Sequence, residues 1–219
     1  MSTLELRKVT FSYGKKTVMS DCSLSFASHE RVALSAPSGF GKTTLCRLLA
    51  GYAAPQEGEV LLDGEPLGGI RNPGARSARG ALSAKKPAAA CPVQMIGQHP
   101  EHMLDPLLRI GSSLKEAGSI DEDLLRQLGI REEWLSRFPR ELSGGELQRC
   151  CIARALRVEP RFLIADEIST MLDAVTQVQI WQVLLDYCRE REVGLVLVTH
   201  SDALMKRLAT RVVDLAHLS

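Results

Sequence analysis

The stretch Ala36-Pro37-Ser38-Gly39-Phe40-Gly41-Lys42-Thr43-Thr44 places a lysine behind two glycines and ahead of two hydroxyls. That order suits phosphate. Gly39 and Gly41 let the backbone approach an anion closely, and the N–H groups opening a following helix point at phosphate oxygens. Lys42 can then reach β- and γ-phosphates, and the Thr43 hydroxyl can ligate Mg2+. The P-loop pattern is met except at its first position, where Ala36 replaces glycine. A second constellation is Asp166-Glu167, directly after the apolar run Phe162-Leu163-Ile164-Ala165. Carboxylates at the carboxyl end of a strand sit where open α/β sheets bind ligands. Asp166 would hold a Mg2+ hydration shell, and Glu167 would orient and polarise an attacking water. Phosphoryl transfer needs mainly positioning and charge stabilisation, so these groups outline a nucleotide hydrolysis site. Alone, an acidic pair at a strand end marks only a solvated terminus. Behind a phosphate loop it completes a site.

The elements that must carry these groups are legible in the periodicity. Leu4 to Phe11 alternates as a half-buried strand, and Arg31 to Ser35 is a short β-prone run leading into the loop. Leu45, Leu48, Leu49 and Ala50 follow a helical pattern closed by Gly51. Val60-Leu61-Leu62, then Asp63-Gly64, then Pro66-Leu67 predicts a hairpin. Phe162 to Ala165 and Leu195 to Val198 are fully apolar, as buried parallel strands are when helices cover both faces. The fold class expected is therefore α/β. From Leu104 to Arg140 the periodicity is helical, with no strand, which predicts a helical insert between core strands. From Arg71 to Pro92 the chain is rich in Ala, Gly, Ser and Pro, with Arg71, Arg76, Arg79, Lys85 and Lys86 and no acid. That interval is expected to be a flexible, solvated surface loop.

Composition narrows the setting. The chain has 219 residues, 45% hydrophobic and 24% charged, so it is globular, with room for one large domain or two small ones. Its formal net charge of +1 gives no reason to expect nucleic acid as a partner. No apolar run approaches the length of a membrane helix, and Met1 to Glu5 shows no basic-then-apolar leader. A soluble, cytoplasmic chain is expected, which could work at a membrane only beside subunits that span it. Cysteines at 22, 46, 91, 150, 151 and 188 form no CxxC and no zinc spacing. They read as small buried or half-buried thiols.

At Leu142-Ser143-Gly144-Gly145-Glu146, followed by Leu147-Gln148-Arg149 and Ala153-Arg154-Ala155-Leu156, the sequence resembles the signature motif of ATP-binding cassette (ABC) ATPases. Other motifs of that family follow in order. Tyr13, in Phe11-Ser12-Tyr13-Gly14, resembles the aromatic that stacks on adenine, and Gln98 resembles the Q-loop glutamine. Ser169 to Asp173 resembles the D-loop, and His200, in Val198-Thr199-His200-Ser201, resembles the switch histidine. The resemblance runs from about Leu4 to Leu215. It implies one ABC ATPase domain over 1–219: a P-loop NTPase core with a mostly parallel sheet, an N-terminal antiparallel β part and a helical subdomain at about 104–157. It further implies ATP and Mg2+ as cofactors. ATP would bind through Tyr13 and residues 36–44, Mg2+ through Thr43, Gln98 and Asp166, and catalysis would use Glu167, His200 and Gln98.

In that family the signature, Leu142 to Glu146, faces the γ-phosphate held by a second cassette, and Asp173 belongs to the D-loop. The partners implied are a second ABC ATPase subunit, identical or related, two transmembrane permease subunits and, indirectly, a substrate-binding protein. The location implied is the cytoplasmic face of the cell membrane. Gln98-His99-Pro100, Leu104-Asp105-Pro106 and Arg109-Ile110-Gly111 resemble importers of peptides and nickel, as does Leu172-Asp173 with Thr176 to Ile180. Ile168-Ser169-Thr170 stands where the family usually has Pro-Thr-Ser. An exporter or lipoprotein-release ATPase would share all this ATP chemistry. A soluble cassette ATPase would usually carry a long coiled coil or a second cassette. Here only residues 99–141 separate Gln98 from Leu142, and there is a single cassette.

Overall fold

A computed structural model of the chain describes residues 1–67, 91–116 and 121–217. The basic interval expected to be a loop lies outside the described residues except for its last two, Cys91 and Pro92. Two sheets organise the rest. The first is antiparallel, in the order β2 (Lys16–Ala27), β1 (Thr3–Tyr13), β4 (Glu57–Leu62), β5 (Glu65–Pro66). The hairpin expected at Asp63-Gly64 joins β4 to β5 and pairs Leu62 with Glu65. The second sheet is parallel throughout, in the order β6 (Val93–Ile96), β7 (Phe162–Asp166), β8 (Gly194–Val198), β3 (Arg31–Ser35), β9 (Arg211–Asp214).

Parallel strands require crossovers, and helices supply them. α1 (Lys42–Leu49) follows β3. α2 (Ile110–Lys115), α3 (Glu122–Gln127) and α4 (Gly144–Leu156) lie between β6 and β7. α5 (Ala174–Glu190) leads into β8, and α6 (Asp202–Leu208) into β9. The insert expected from Leu104 to Arg140 is helical, with 3-10 turns at Glu132–Ser136 and Pro139–Glu141 and no strand among its described residues.

Side chains on a strand alternate between faces, and the central strands divide their apolar residues accordingly. Val32, Leu34, Phe162, Ile164, Val196 and Val198 join α1 and the antiparallel sheet in one core. Ala33, Leu163, Ala165, Leu195 and Leu197 join the helical insert, α4 and α5 in the other. Both faces are covered, which is why these strands carry no polar alternation in sequence. The adjacent cysteines of α4 are both buried, and burial pushes each thiol up to about 12. They pack as small apolar groups and are not nucleophiles.

Packing is tight at Gly194, the first residue of β8, where β7 and the end of β2 close in. A Cβ there would collide with the Phe162 ring, which is fully buried, and would lie 3.1 Å from the Ala27 carbonyl oxygen. Gly194→Ala is therefore expected to cost about 1–3 kcal/mol by overpacking. Urea unfolding checks this; a midpoint equal to wild type would show that the ring has room to move.

Candidate functional site

The parallel register decides where the chemistry collects. Asp166 pairs with Val198, Val198 with Leu34, and Leu34 with Val213, so four strands end along one row. One row back, Ile96 pairs with Ala165. Beyond these rows lie Gln98 after β6, Asp166 and Glu167 at the end of β7, His200 after β8, and the 36–41 loop after β3. Residues distant in sequence thus share one edge of the sheet.

The loop from Ala36 to Gly41 turns from β3 into α1. Gly39 and Gly41 have φ of 84° and 87°, a region that L side chains rarely adopt. At Gly41 the space is also closed, since a Cβ would collide with the Val18 side chain from β2. Lys42 is buried under the loop, and its Nζ donates to the Ala36 carbonyl at 2.7 Å and to the Pro37 carbonyl at 3.2 Å. The acceptor is the backbone of residue 36, so alanine serves there as glycine would, while its methyl packs on the core. Pro37, Ser38, Phe40 and Thr43 are exposed and Thr44 is buried. The N–H groups of Lys42, Thr43 and Thr44 belong to the first turn of α1, where a helix has no internal acceptors. Tyr13, at the tip of the β1–β2 hairpin, is half-exposed and rests edge-on against Phe11, with ring centroids 5.0 Å apart.

Asp166 is 3% exposed, and its Oδ1 is buried without a hydrogen-bond partner. Burial raises its pKa, opposed first by a hydrogen bond from the Thr43 hydroxyl; the neighbouring Glu167 charge raises it further. A buried carboxylate with one unused oxygen beside a hydroxyl is a hard-oxygen donor set, which fits Mg2+. Among the described residues no group of three or more His, Cys, Asp or Glu could hold a metal.

Glu167 occupies the left-handed region, with φ of 54°. Its N–H donates to the Val198 carbonyl at 3.1 Å, and its own carbonyl accepts from the Thr170 hydroxyl at 3.2 Å. The strained turn carries its side chain to His200, with Oε1 at 2.7 Å from Nε2. The carboxylate is 13% exposed and the imidazole 61%, so the pair lies across the boundary between core and solvent. Gln98 is half-buried, two residues beyond β6.

The signature segment is built differently. Ser143 caps α4, its hydroxyl accepting from Glu146 N–H at 3.3 Å. The Glu146 carboxylate accepts in return from Ser143 N–H at 2.8 Å and from its hydroxyl at 2.9 Å. These bonds hold the Glu146 carboxyl below the usual carboxylate range. Leu142 is half-buried and packs on the core. Met171 and Leu172 close over Gly144 and Gly145, leaving little room for a Cβ at either. Asp173 caps α5 by accepting from Val175 and Thr176 N–H groups at 3.1 and 3.0 Å, and its carboxyl is held low by its bonds to Thr176.

Several contacts escape a reading of the sequence alone. Ser169 accepts from Gln177 Nε2 at 2.7 Å and from Trp181 Nε1 at 3.3 Å, tying the D-loop to α5. Arg149 donates to the Thr176 hydroxyl at 3.0 Å and to the Leu128 and Gly129 carbonyls, joining α4, α5 and the end of α3. The Glu167–His200 contact has no local signal either. The Ser143-x-x-Glu146 spacing is the sequence signal by which the capping box of α4 could be found.

Comparison with known proteins agrees with this geometry. The family model described as ABC transporter matches residues 19–170. The nickel import ATP-binding protein NikE of Rhodospirillum rubrum is 37% identical over 212 residues, covering 91% of this chain and 73% of its own length. The probable peptide ABC transporter ATP-binding protein y4tS of Sinorhizobium fredii is 33% identical over 204 residues, covering 88% of this chain and 55% of its own. A dimeric post-hydrolysis structure of the ATP-binding cassette MJ0796 bound to ADP and Pi superposes with a TM-score of 0.75 at 25% identity. It covers 96% of this chain and 93% of that one. A phosphate loop, an acidic strand end and a capped signature helix in this arrangement, with these relatives, make the chain a member of the ABC transporter family, an ATP-binding cassette that hydrolyses ATP.

Proposed function

We propose that the chain is the ATP-hydrolysing subunit of an importer whose cargo is nickel, a nickel chelate or a peptide. It would act at the cytoplasmic face of the membrane with a second cassette, two permease subunits and, indirectly, a substrate-binding protein. The import direction rests on NikE, named for nickel import, and the peptide alternative on y4tS, named for peptide transport. Among the described residues no helix is long and apolar enough to cross a membrane, so the path for cargo would belong to the permease subunits.

The observation that carries the hydrolytic reading is the 2.7 Å contact between Glu167 and His200 beside the buried Asp166. Tyr13 would stack on adenine, and the 36–44 segment would receive the phosphates on backbone N–H groups, with Lys42 turning from its carbonyl acceptors to phosphate oxygens. Thr43, Asp166 and Gln98 would hold Mg2+. When bound, Mg2+ supplies charge neutralisation on the β- and γ-phosphate oxygens. Glu167 accepts a hydrogen bond from the attacking water and orients it toward the γ-phosphorus. His200 would hold the Glu167 carboxylate in place and contact the γ-phosphate. Ser143, Gly144 and Gly145 would present the N-terminus of α4 to the γ-phosphate on the second cassette, with Leu142 and Glu146 fixing that turn and Asp173 the neighbouring D-loop.

Three outcomes test this reading. Lys42→Ala should weaken ATP binding about 10- to 100-fold, the worth of a lost charge-assisted hydrogen bond; titration calorimetry reads it, and unchanged affinity would overturn the phosphate-loop assignment. Glu167→Gln should keep ATP affinity while slowing hydrolysis about 10^2- to 10^4-fold, as loss of a positioned base does. It should also accumulate as an ATP-bound dimer in light scattering, and full turnover would move the catalytic role elsewhere.

The third concerns Asp166. Its pKa is raised in the folded state, so its contribution to stability is fully present below the unfolded pKa and is lost as pH rises through the folded one. Asp166→Asn removes that buried charge. At neutral pH without Mg2+ it should raise the melting temperature by roughly 2–4 °C per kcal/mol relieved, and it should abolish the further rise that Mg2+-ATP produces in wild type. A lower melting temperature in the metal-free variant would show that the carboxylate stabilises the fold.

A further inference from the structure

One face of α4 is engaged at three points over nearly two turns by the chain that follows β6. Gln148, Cys151 and Arg154 stand three residues apart, so they share that face. Opposite them, carbonyls recur at the same step. Gln148 Nε2 donates to the Gly97 carbonyl at 3.3 Å, Cys151 Sγ to the Pro100 carbonyl at 3.5 Å, and Arg154 Nη1 to the Met103 carbonyl at 3.1 Å. The first rung is the most enclosed. Gln148 is 1% exposed and Gly97 is buried, so neither group has water as an alternative partner.

The segment that these rungs hold is itself rigid. A 3-10 turn spans Pro100–His102, His102 N–H donates to the His99 carbonyl at 3.1 Å, and Met103 N–H donates to the Pro100 carbonyl at 3.0 Å. The Met103 side chain folds back over Gly97. A stiff loop is thus fastened to a stiff helix, and the innermost fastening lies one residue before Gln98. The other end of the same helix is the Ser143–Gly145 turn.

We propose that Gln148 is a positioning residue for ATP hydrolysis: through the Gly97 carbonyl it locks Gln98 to the signature helix, so the two move as one body. This rests on the role given to Gln98 above and adds to it. The side chain that meets a nucleotide in the chain's own site is mechanically joined to the turn offered to the nucleotide of a second cassette. The phosphate loop is not part of that body, since Ala36 and α1 belong to the other core.

A double-mutant cycle on the full-length chain tests this, with steady-state Mg2+-ATP hydrolysis and ATP affinity measured for wild type, Gln98→Ala, Gln148→Leu and the pair. Gln148→Leu should lower kcat about tenfold with ATP Kd unchanged within about twofold, and should have no further effect on kcat in the Gln98→Ala background. A merely structural role would lower kcat by the same factor in both backgrounds, and that result overturns the proposal. So does a wild-type kcat in Gln148→Leu. If Gln98→Ala itself hydrolyses ATP at the wild-type rate, the role of Gln98 falls first, and the cycle shows it separately. Should Gln148→Leu not fold, Arg154→Met breaks the half-exposed third rung. Its smaller loss of kcat must likewise vanish in the Gln98→Ala background, and persistence of the loss there counts against the proposal.

Discussion

Everything chemical in this molecule depends on the register of its parallel sheet. Because Asp166, Val198, Leu34 and Val213 fall on one row, the segments leaving β7, β8, β3 and β9 emerge along one edge. A shift of one residue on β7 would exchange its two faces, sending Phe162 and Ile164 into the core now filled by Leu163 and Ala165. Two filled cores therefore hold the register, and the register holds the site. The placing of Asp166 and Glu167 follows from this packing before any interaction of their own.

The electrostatics at that edge are arranged against a gradient of burial. Asp166 lies inside, with an unused oxygen and a raised pKa. Glu167 is one residue further out, turned by its positive φ toward a histidine that faces solvent. Two adjacent carboxylates would repel if both pointed into one pocket, and the left-handed turn separates their tasks. The inner one would suit a cation and the outer one water, as the proposed hydrolytic reading requires. Strain at residue 167 is offset by its backbone bonds to Val198 and Thr170.

Around the sheet edge runs a second set of constraints joining elements that do not share a strand. Arg149 ties α4 to α5 and to the carbonyls closing α3. Ser169 ties the D-loop to α5 through Gln177 and Trp181. Met171 and Leu172 press on the signature glycines, and the rungs at Gln148, Cys151 and Arg154 fasten α4 to the chain after β6. The helical part thus grips both the segment bearing Gln98 and the D-loop. It packs on the sheet through the apolar residues of its own core and adds these polar links, while the phosphate loop lies against Val18 and runs into α1, which belongs to the other core.

What the sequence determined by itself was local. Glycines 39 and 41 ahead of Lys42 and an apolar run ending in Asp166-Glu167 each follow from chemistry within a few residues. So the loop and the strand end were legible from composition and spacing. The parallel strands were legible too, because burial on both faces removes polar alternation. Their order was not, since pairing β3 with both β8 and β9 depends on crossovers that periodicity does not record. Nor was the pairing of Glu167 with His200, the donation from Gln148 to Gly97, or the bridge from Arg149 to Thr176. Each joins residues 27 or more positions apart, so only the packed chain could bring them together. A turn is decided by its own backbone, whereas a contact across the fold is decided by everything packed between.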